Sequence, residues 1–362
     1  MSMKIEGENG IVCRVPNSDF GYFGWPSVVR MDDGTLIAGA SGLRWSHICP
    51  WGKTVIAFSR DEGKTWGEPT VINDSLMDDR DVGLVSLGGK TVLATWFSLD
   101  PREFLESYRD TMTGGVRSWM EGRVSTVSDE TVERQSGSWT RISFDGGETW
   151  SPPRRSPVTA PHGPILLKNK TLMYAGKPFP KKSDRPIHED VAVALSIDLG
   201  MTWKVISTVP CPKDYSAEAV HEPHLVELDD GTLLCALRVH EEKTVAVWMS
   251  RSTDRGFTWS EPYRLPCDGT PPQLLKHSSG VVVCVYGYRH EPFGERALAT
   301  RDGLKWSEEM ILRDDGPDGD LGYPCSVELP DHSIYTVYYQ RLPEDKKDSV
   351  LSTRWTLPED LI

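Results

Sequence analysis

Side chains that can transfer protons recur at one place in a repeated pattern. A pair of apolar strands joined by a turn occurs six times, with turns centred on Gly34, Gly89, Asn169, Gly231, Gly280 and His332. Seven to ten residues before these turns stand Trp25, Asp81, His162, Glu222, Thr270 and Tyr323. Carboxylates, imidazoles and phenols act as general acids, general bases or nucleophiles when a fold brings them together. These six positions therefore form the candidate site.

Basic residues mark the other end of most hairpins. The second strands end near Arg44, Lys177, Arg238, Arg289 and Arg341. A guanidinium group binds a carboxylate through two parallel hydrogen bonds and stays charged. The net charge is −13, so an anionic ligand requires such a local cluster to overcome the general field. Any one position is equally well explained as a solvated strand end, and the prediction of an acidic ligand depends on the recurrence.

A second repeat defines the elements that position these residues. The pattern Ser-x-Asp-x-Gly-x-Thr-Trp occupies residues 59–66, 143–150, 196–203 and 252–259, and a shortened copy occupies 300–306. The Asp can accept hydrogen bonds from backbone N–H groups in a tight turn, the Gly supplies a positive φ, and the Trp buries a large apolar surface. We interpret these copies as structural turns on the outer side of each unit, not as catalytic groups.

The two repeats alternate along the chain, and this alternation predicts the fold. Each of the first five hairpins precedes one copy of the box, and a hairpin with its box has the length of a propeller blade. We predict an all-β protein, a six-bladed β-propeller with four-stranded antiparallel blades, in one domain over residues 1–362. The stretch around residues 11–13 is predicted to close the ring, and helix is expected in under about 10% of residues.

An insertion at about residues 99–137 interrupts the second unit. It is rich in Arg, Glu, Ser and Met, and residues 101–108 could form a short helix. It is either a solvated surface loop or a lid over the mouth of the ring. The lid interpretation depends on basic residues that could meet an acidic ligand, namely Arg102, Arg109, Arg117 and Arg123.

Composition excludes several classes of function. Seven cysteines without a CxxC pair predict neither a disulfide framework nor a zinc site, and no metal or other cofactor is expected. The acidic balance argues against a nucleic-acid partner. The sequence contains no run of eighteen apolar residues, so no membrane-spanning helix is predicted. The polar start lacks an apolar signal region, so a cytoplasmic location is expected unless a signal peptide has been removed. Oligomeric state stays open.

These motifs resemble the sialidase (neuraminidase) superfamily, in which the box is the Asp-box or BNR repeat. Residues 12–16 (VCRVP) resemble the motif whose arginine belongs to a triad that binds the substrate carboxylate, which implies Arg14. Residues 221–228 (HEPHLVEL) resemble the segment of the catalytic Glu and, with the strand after it, imply Glu222 and Arg238. Residues 322–326 (GYPCS) resemble the segment of the nucleophilic Tyr and imply Tyr323.

The resemblance implies an exo-glycosidase that removes a terminal acidic sugar. The anomeric carbon of sialic acid carries a carboxylate, which would repel an anionic nucleophile. A phenol is neutral, and a neighbouring Glu can take its proton as it attacks. The third arginine of the triad is either Arg289 or Arg296, and Arg289 is preferred because it ends a strand directed toward the channel. Trp25 and Arg44 complete the predicted substrate-binding residues.

One family residue is missing. The superfamily usually has an Asp acid/base in the loop after the first hairpin, about six residues beyond an Arg. Here that loop, residues 43–52 (LRWSHICPWG), contains no carboxylate. Arg44 matches the Arg, and His47 is the one group of the loop that could exchange a proton near neutral pH. Asp81 and His162 are the other candidate acids.

Two alternatives stay open because of this departure. One is a lyase or hydrolase that acts on a non-sialic uronic sugar, with His162 and Tyr323 as acid and base. The other is a catalytically inactive propeller that binds an acidic glycan through its basic ring. The sequence does not identify the sugar, the linkage or the aglycone.

Overall fold

The computed structural model describes residues 2–103, 105, 114–179, 190–240 and 245–361. Six sheets of antiparallel strands stand in a ring, with 48% of residues in strands and 8% in helices. The prediction of a six-bladed β-propeller is confirmed. In the first five blades the four blade strands pair in chain order, and in blade 6 an N-terminal strand takes the outer position. Each hairpin of the sequence therefore forms the inner half of one blade.

The first three blades follow the chain from the first hairpin. Blade 1 contains the strands Tyr22–Arg30, Leu36–Arg44, Lys53–Ser59 and Thr70–Asn73. Blade 2 contains Asp78–Gly88, Thr91–Leu99, Gly137–Ser143 and Arg154–Arg155. Blade 3 contains Ile165–Leu166, Leu172–Gly176, Val191–Ser196 and Lys204–Val209.

The last three blades include the N-terminal segment. Blade 4 contains Val220–Glu227, Leu233–His240, Val245–Ser252 and Tyr263–Arg264. Blade 5 contains Pro272–Lys276, Val282–Tyr288, Gly294–Thr300 and Met310–Arg313, with Met3–Lys4 added in parallel at its outer edge. Blade 6 contains Gly322–Glu328, Ile334–Arg341, Asp348–Trp355 and Gly7–Cys13.

The ring closes through the N-terminal strand, as predicted. Gly7–Cys13 runs antiparallel to Asp348–Trp355, with Gly7 opposite Trp355 and Cys13 opposite Val350. The outer strand of blade 6 therefore comes from the opposite end of the chain to its three partners. This pairing leaves no gap between the first and the last blade, which is how a propeller avoids a long open edge.

Apolar clusters lie between neighbouring blades. Phe23 and Val55 of blade 1, for example, are buried in one cluster with Cys325 and Val337 of blade 6. Comparable clusters join blades 1 and 2, 3 and 4, 4 and 5, and 5 and 6. The channel mouth is therefore carried by a rigid wall of packed sheets.

The boxes are structural turns between the third and fourth strands of the first five blades. In the first box, the backbone N–H of Thr65 donates to Asp61 Oδ1 at 2.9 Å, and its hydroxyl donates to Asp61 Oδ2 at 2.6 Å. These bonds lower the pKa of Asp61 to about 2. The N–H of Gly63, where φ is +87°, donates to Ser59 Oγ at 2.9 Å. The interpretation of the boxes as structural is confirmed.

Helices are short and few in the described part of the chain. Two lie in the insertion, Gly114–Val124 and Asp129–Gln135, and the second begins at Ser128, whose side chain accepts a hydrogen bond from the N–H of Thr131. Two 3-10 turns are Ala217–Ala219 and Glu359–Leu361. None of the helices in the described ranges is long and apolar enough to cross a bilayer. All seven cysteines are free thiols.

Candidate active site

Four residues at the channel mouth share an unusual backbone conformation. Trp25, Asp81, Glu222 and Tyr323 have φ values of 53°, 53°, 44° and 54°. Each lies in the first strand of its blade, at a break in register two residues before regular pairing resumes. Non-glycine residues rarely adopt a positive φ, and such strain is concentrated at functional sites. The bulge directs the four side chains away from the sheet and toward a common space.

In blade 3 the residue with the positive φ stands one position later in the chain than His162. This corrects the predicted position of His162. The equivalent position is Gly163, where φ is +75° and pairing resumes two residues later at Ile165. A shift of one residue reverses the side-chain direction in a strand. His162 accordingly lies in the channel below the mouth, with Nδ1 3.2 Å from Ser27 Oγ and its ring 5.8 Å from that of His224.

The buried setting of His162 removes it from proton transfer. Burial lowers its pKa to about 3, so the imidazole is neutral at physiological pH. Its Nε2 is buried and has no hydrogen-bond partner among the described residues. In blade 5 the equivalent position is Thr270, which is buried and offers only a hydroxyl.

Glu222, Tyr323 and Arg238 form the centre of the site. The Tyr323 hydroxyl donates to Glu222 Oε1 at 2.5 Å, and Arg238 Nη1 donates to Glu222 Oε2 at 2.6 Å. The same Nη1 lies 3.3 Å from the Tyr323 hydroxyl oxygen. The predicted pairing of Glu222 with Tyr323 is therefore present as a direct contact, within the range required for proton transfer.

The surroundings of Glu222 and Tyr323 set which of the two carries the negative charge. Burial alone would raise the pKa of Glu222, but the charge of Arg238 and the hydrogen bond from Tyr323 hold it below its usual value. Burial, together with the negative charge of Glu222, raises the pKa of Tyr323 well above its usual value. The resting site thus contains a neutral phenol bound to an ionised carboxylate, which is the protonation state that a nucleophile and its base require.

Of the two candidates for the third arginine, the structure brings Arg289 to the site. Its Nε and Nη2 donate to the carbonyl of Leu321 at 3.1 and 2.9 Å, and its guanidinium lies 5.8 Å from the centre of the Tyr323 ring. Arg296 is buried instead in the wall of blade 5. Its guanidinium donates to the carbonyls of Pro292 and Glu295, at 2.9 and 3.1 Å, and also to that of Arg313.

Arg14 and Arg44 are both held by carboxylates, which corrects their predicted place in the substrate clamp. Arg14 donates to Asp345 at 2.7 and 2.8 Å through Nε and Nη2, and no described contact joins it to Glu222 or Tyr323. Arg44 is fully buried and binds Asp78 at 2.5 and 2.9 Å. Its guanidinium faces the Trp25 ring at 4.8 Å, so it supports the site from behind.

His47 reaches the site in a setting that the sequence did not indicate. Its ring packs edge-on against Trp25 at 4.9 Å, and its Nδ1 lies 3.0 Å from Asp320 Oδ1. Asp320 also accepts hydrogen bonds from the hydroxyls of Tyr339, at 2.9 Å, and Tyr22, at 3.2 Å. Burial lowers the pKa of His47 despite the hydrogen bond to Asp320, which acts in the opposite direction. Asp320 thus fixes one ring nitrogen, and the other, Nε2, faces Arg80 Nη2 at 3.5 Å.

Asp81 is the second carboxyl group in the mouth. Its side chain is 6% exposed, and burial raises its pKa to about 7, where the charge of Glu222 adds to the rise and Arg80 opposes it. Burial thus favours the protonated form of Asp81 more strongly than that of an exposed carboxyl group. Like charges in one site divide their protons in this way, so Asp81 and Glu222 titrate as a pair.

Asp320 and Arg80 are the site residues that sequence reasoning missed. The Arg80 guanidinium lies 4.0 Å from the Trp25 ring, and its Nη2 lies 3.5 Å from His47 Nε2. Both residues had a signal in the sequence, because Arg80 directly precedes Asp81 and Asp320 stands three residues before Tyr323. Neither follows the offset from the hairpin turns, so the repeat did not select them.

The described part of the insertion lies against the loop that carries His47. Trp119 of the helix Gly114–Val124 stacks on Trp51 of that loop, with ring centres 4.0 Å apart and planes 13° apart. Arg102 pairs with Asp100 and Asp129, and Arg117 pairs with Glu121. The Arg123 guanidinium lies 5.6 Å from the Trp51 ring. Arg109 lies outside the described residues. The insertion therefore borders the mouth through aromatic contacts rather than through free arginines.

One further cluster could hold a metal ion. Within the described ranges, His277, Glu328 and His332 place their ligand atoms within 4.8 Å of one another. They lie at the turns of blades 5 and 6, at the opposite end of the strands from Tyr323. His277 Nε2 already faces the His332 carbonyl at 3.0 Å, so hydrogen bonding accounts for the arrangement.

Comparison with known proteins identifies the family. A family model described as a BNR repeat-like domain matches residues 106–336, which is well over half of the chain. The chain belongs to this family. Its fold is that of the sialidase-superfamily propellers, which the structural neighbours bear out.

Three solved structures illustrate the likeness of this BNR-repeat propeller. A Dyadobacter fermentans protein of unknown function is 22% identical, with a TM-score of 0.75 and coverage of 97% of this chain and 98% of that one. The intramolecular trans-sialidase from Ruminococcus gnavus is 17% identical, with a TM-score of 0.64 and 98% coverage of both chains. Trypanosoma rangeli sialidase is 15% identical, with a TM-score of 0.62, and the match covers 98% of this chain and 60% of that protein. At these identities the likeness concerns the fold.

Proposed function

We propose that this propeller is a glycoside hydrolase that removes a terminal acidic sugar, with Tyr323 as nucleophile and Glu222 as its base. The observation that carries the proposal is the hydrogen bond of 2.5 Å from the Tyr323 hydroxyl to Glu222 Oε1, in a mouth that also holds Arg238 and Arg289. The sialidase neighbours support a substrate of this class. The phenol and the arginines together suit a sugar that carries a carboxylate near its reacting carbon.

In the first step, the Tyr323 oxygen forms a bond to the anomeric carbon and passes its proton to Glu222. The bond from that carbon to the leaving oxygen breaks, and an acid supplies a proton to this oxygen. In the second step, water attacks the same carbon and releases Tyr323, which recovers its proton from Glu222. The acid of the first step takes the proton of the water. The sum is one glycoside and one water giving one free sugar and one alcohol.

We assign the acid to His47, with Asp320 as its positioning residue. Asp320 lies against Nδ1, so Nε2 is the nitrogen that would face the leaving oxygen, once the substrate takes the place of the Arg80 Nη2 contact at 3.5 Å. This pair would replace the Asp that the family usually has in the same loop. Asp81 is the competing assignment, because burial raises its pKa and a carboxyl group that keeps its proton is also a competent acid.

Arg238 and Arg289 would bind the substrate carboxylate. They approach Tyr323 from different blades, and neither forms an ion pair with a carboxylate outside the site among the described contacts. Arg14 and Arg296 are engaged elsewhere, so the clamp of this protein would contain two arginines rather than three. Arg80 lies over Trp25 and pairs with Asp78, with Nη1 3.7 Å from Oδ2, so it is not counted in the clamp.

The geometry disfavours the lyase alternative. That mechanism required His162 and Tyr323 as acid and base, yet His162 contacts Ser27 and His224 rather than Tyr323, and its pKa of about 3 keeps it neutral. An inactive glycan-binding propeller does not require a phenol bonded to a carboxylate. The contact between Tyr323 and Glu222 therefore favours an enzyme over a binding module.

Turnover of aryl glycosides of sialic acid and of uronic acids tests the proposal. We expect release of the aryl alcohol, loss of this release in Tyr323→Phe, and a covalent sugar adduct on Tyr323 when a fluorinated substrate slows the second step. An unsaturated product with ultraviolet absorbance would instead indicate a lyase. Tight binding without turnover of any glycoside in the panel would contradict the hydrolase and favour the binding propeller.

A further inference from the structure

Four aromatic side chains from three segments meet beside the loop that carries His47. Trp45 and Trp51 flank His47 in that loop, Phe20 precedes the first strand of blade 1, and Trp119 belongs to the insertion. Trp51 and Trp119 stack with their centres 4.0 Å apart. The Phe20 ring stands edge-on to Trp119 at 5.1 Å and to Trp45 at 6.3 Å. We call these four rings the aromatic patch.

The aromatic patch is partly open to water, because Phe20, Trp45 and Trp51 are half-buried and Trp119 is exposed. Trp119 is 47% exposed, although it is among the largest apolar side chains of the chain. Exposed apolar surface of this kind marks a contact site when several rings adjoin. Two cations border it, because Arg123 lies 5.6 Å from the Trp51 ring and Lys347 Nζ lies 4.2 Å from the Trp45 ring. Aromatic rings with polar groups around them are the usual lining of small-molecule sites.

We infer that the aromatic patch binds the sugar of the leaving group, the residue next to the acidic sugar that is removed. This inference rests on the proposed function and names its second binding subsite. His47 lies between Trp45 and Trp51 in the chain and packs against Trp25 at the mouth. If His47 delivers a proton to the leaving oxygen, the leaving group must extend from the side of this loop.

A neutral hexose fits the chemistry of the patch. One face of a pyranose ring presents C–H groups, which pack on the electron-rich face of an aromatic ring, and its hydroxyl groups stay in water. The cations at Arg123 and Lys347 do not require an anionic partner, because each already faces an aromatic ring, and such contacts are themselves favourable. The patch would thus set a preference for extended glycans over small glycosides.

The test compares sialyllactose, which carries a leaving-group disaccharide, with the methyl glycoside of sialic acid. In Trp119→Ala we expect the ratio of kcat/KM for sialyllactose to kcat/KM for the methyl glycoside to fall about 3- to 10-fold, mainly through KM. Trp119→Phe keeps a ring and is expected to retain most of the ratio. Phe144→Ala is the matched control, because Phe144 is 63% exposed at a box turn on the outer edge of blade 2.

Each outcome decides between the two proposals. An unchanged ratio in Trp119→Ala, or an equal change in Phe144→Ala, overturns the subsite while leaving the hydrolase intact. If the wild type cleaves neither substrate, the proposed function fails. Calorimetric titration with sialyllactose then measures whether the aromatic patch contributes to binding in the absence of turnover. Weaker binding by Trp119→Ala than by the wild type supports the subsite. Equal binding by the two proteins, or none by the wild type, overturns it. A melting curve confirms that each variant is folded.

Discussion

Replacing Asp320 by Asn separates a His47 acid from an Asp81 acid. The substitution keeps the shape of the side chain and removes the charge that lies 3.0 Å from His47 Nδ1. The groups that face His47 are Asp320, which raises its pKa, and Arg80 and Arg44, which lower it. Without Asp320, the two arginines and burial act alone, so the pKa of His47 must fall.

The size of this fall in pKa depends on how far the two side chains are exposed to solvent. The side chains of His47 and Asp320 are 41% and 36% exposed, so solvent screens their attraction strongly. Screened pairs contribute about 0.2–1 kcal/mol, and 1.36 kcal/mol corresponds to one pKa unit. We therefore expect the pKa of His47 to fall by a small amount, because the lost attraction is worth no more than about 1 kcal/mol. An acid must be protonated to act, so the alkaline limb of the kcat/KM profile should move to lower pH by this amount.

The assay is the pH profile of kcat/KM for the methyl sialoside, whose poor leaving group needs protonation. Asp345→Asn is the control, because Asp345 pairs with Arg14 outside the site, and it should leave the alkaline limb in place. An activated aryl sialoside should show a weaker loss in His47→Ala than the methyl sialoside does. An unchanged or upward-shifted alkaline limb in Asp320→Asn would refute the assignment and transfer it to Asp81.

Three further outcomes are expected. Tyr323→Phe should abolish turnover while calorimetry shows ligand binding nearly intact, because only the hydroxyl is lost; normal turnover would sink the Tyr–Glu mechanism. Arg238→Ala should weaken binding of the acidic sugar by about 1.5–3 kcal/mol, the value of a charge-assisted hydrogen bond, and unchanged affinity in the same titration would remove Arg238 from the clamp. Gly83→Ala should lower the melting temperature, because a Cβ there would stand 2.4 Å from the backbone nitrogen of Gly163, and a wild-type value would contradict the close approach of blades 2 and 3.

The fold could be predicted because its signals are local. Each of the four full-length boxes closes its own turn through a Ser, an Asp, a Thr and a Gly within eight residues, so the sequence displays the whole unit. The offset from the hairpin turns also located Trp25, Asp81, Glu222 and Tyr323, because the same bulge recurs in four blades. A backbone feature that recurs in several blades, such as this bulge, therefore appears in the sequence as a recurring spacing.

The rest of the site depends on contacts that no local pattern records. The partner of Arg14 is Asp345, and that of His47 is Asp320, hundreds of residues away in the chain. The availability of an arginine for a ligand is decided by such pairings. His162 was misplaced because blade 3 carries Gly163 at the strained position, and a one-residue difference is invisible to alignment on the turns. The single domain over residues 1–362 and the cytoplasmic location stay predictions.

The closure of blade 6 has a consequence for how the protein is made. Gly7–Cys13 is synthesised before the first blade, whereas its partner Asp348–Trp355 is synthesised after the first five blades. During translation the N-terminal strand must stay unpaired while five blades emerge from the ribosome. Its first four residues, Gly-Glu-Asn-Gly, are poor strand formers, which limits pairing with other nascent chains during that wait. Completion of the ring therefore waits until the strand Asp348–Trp355 has been made.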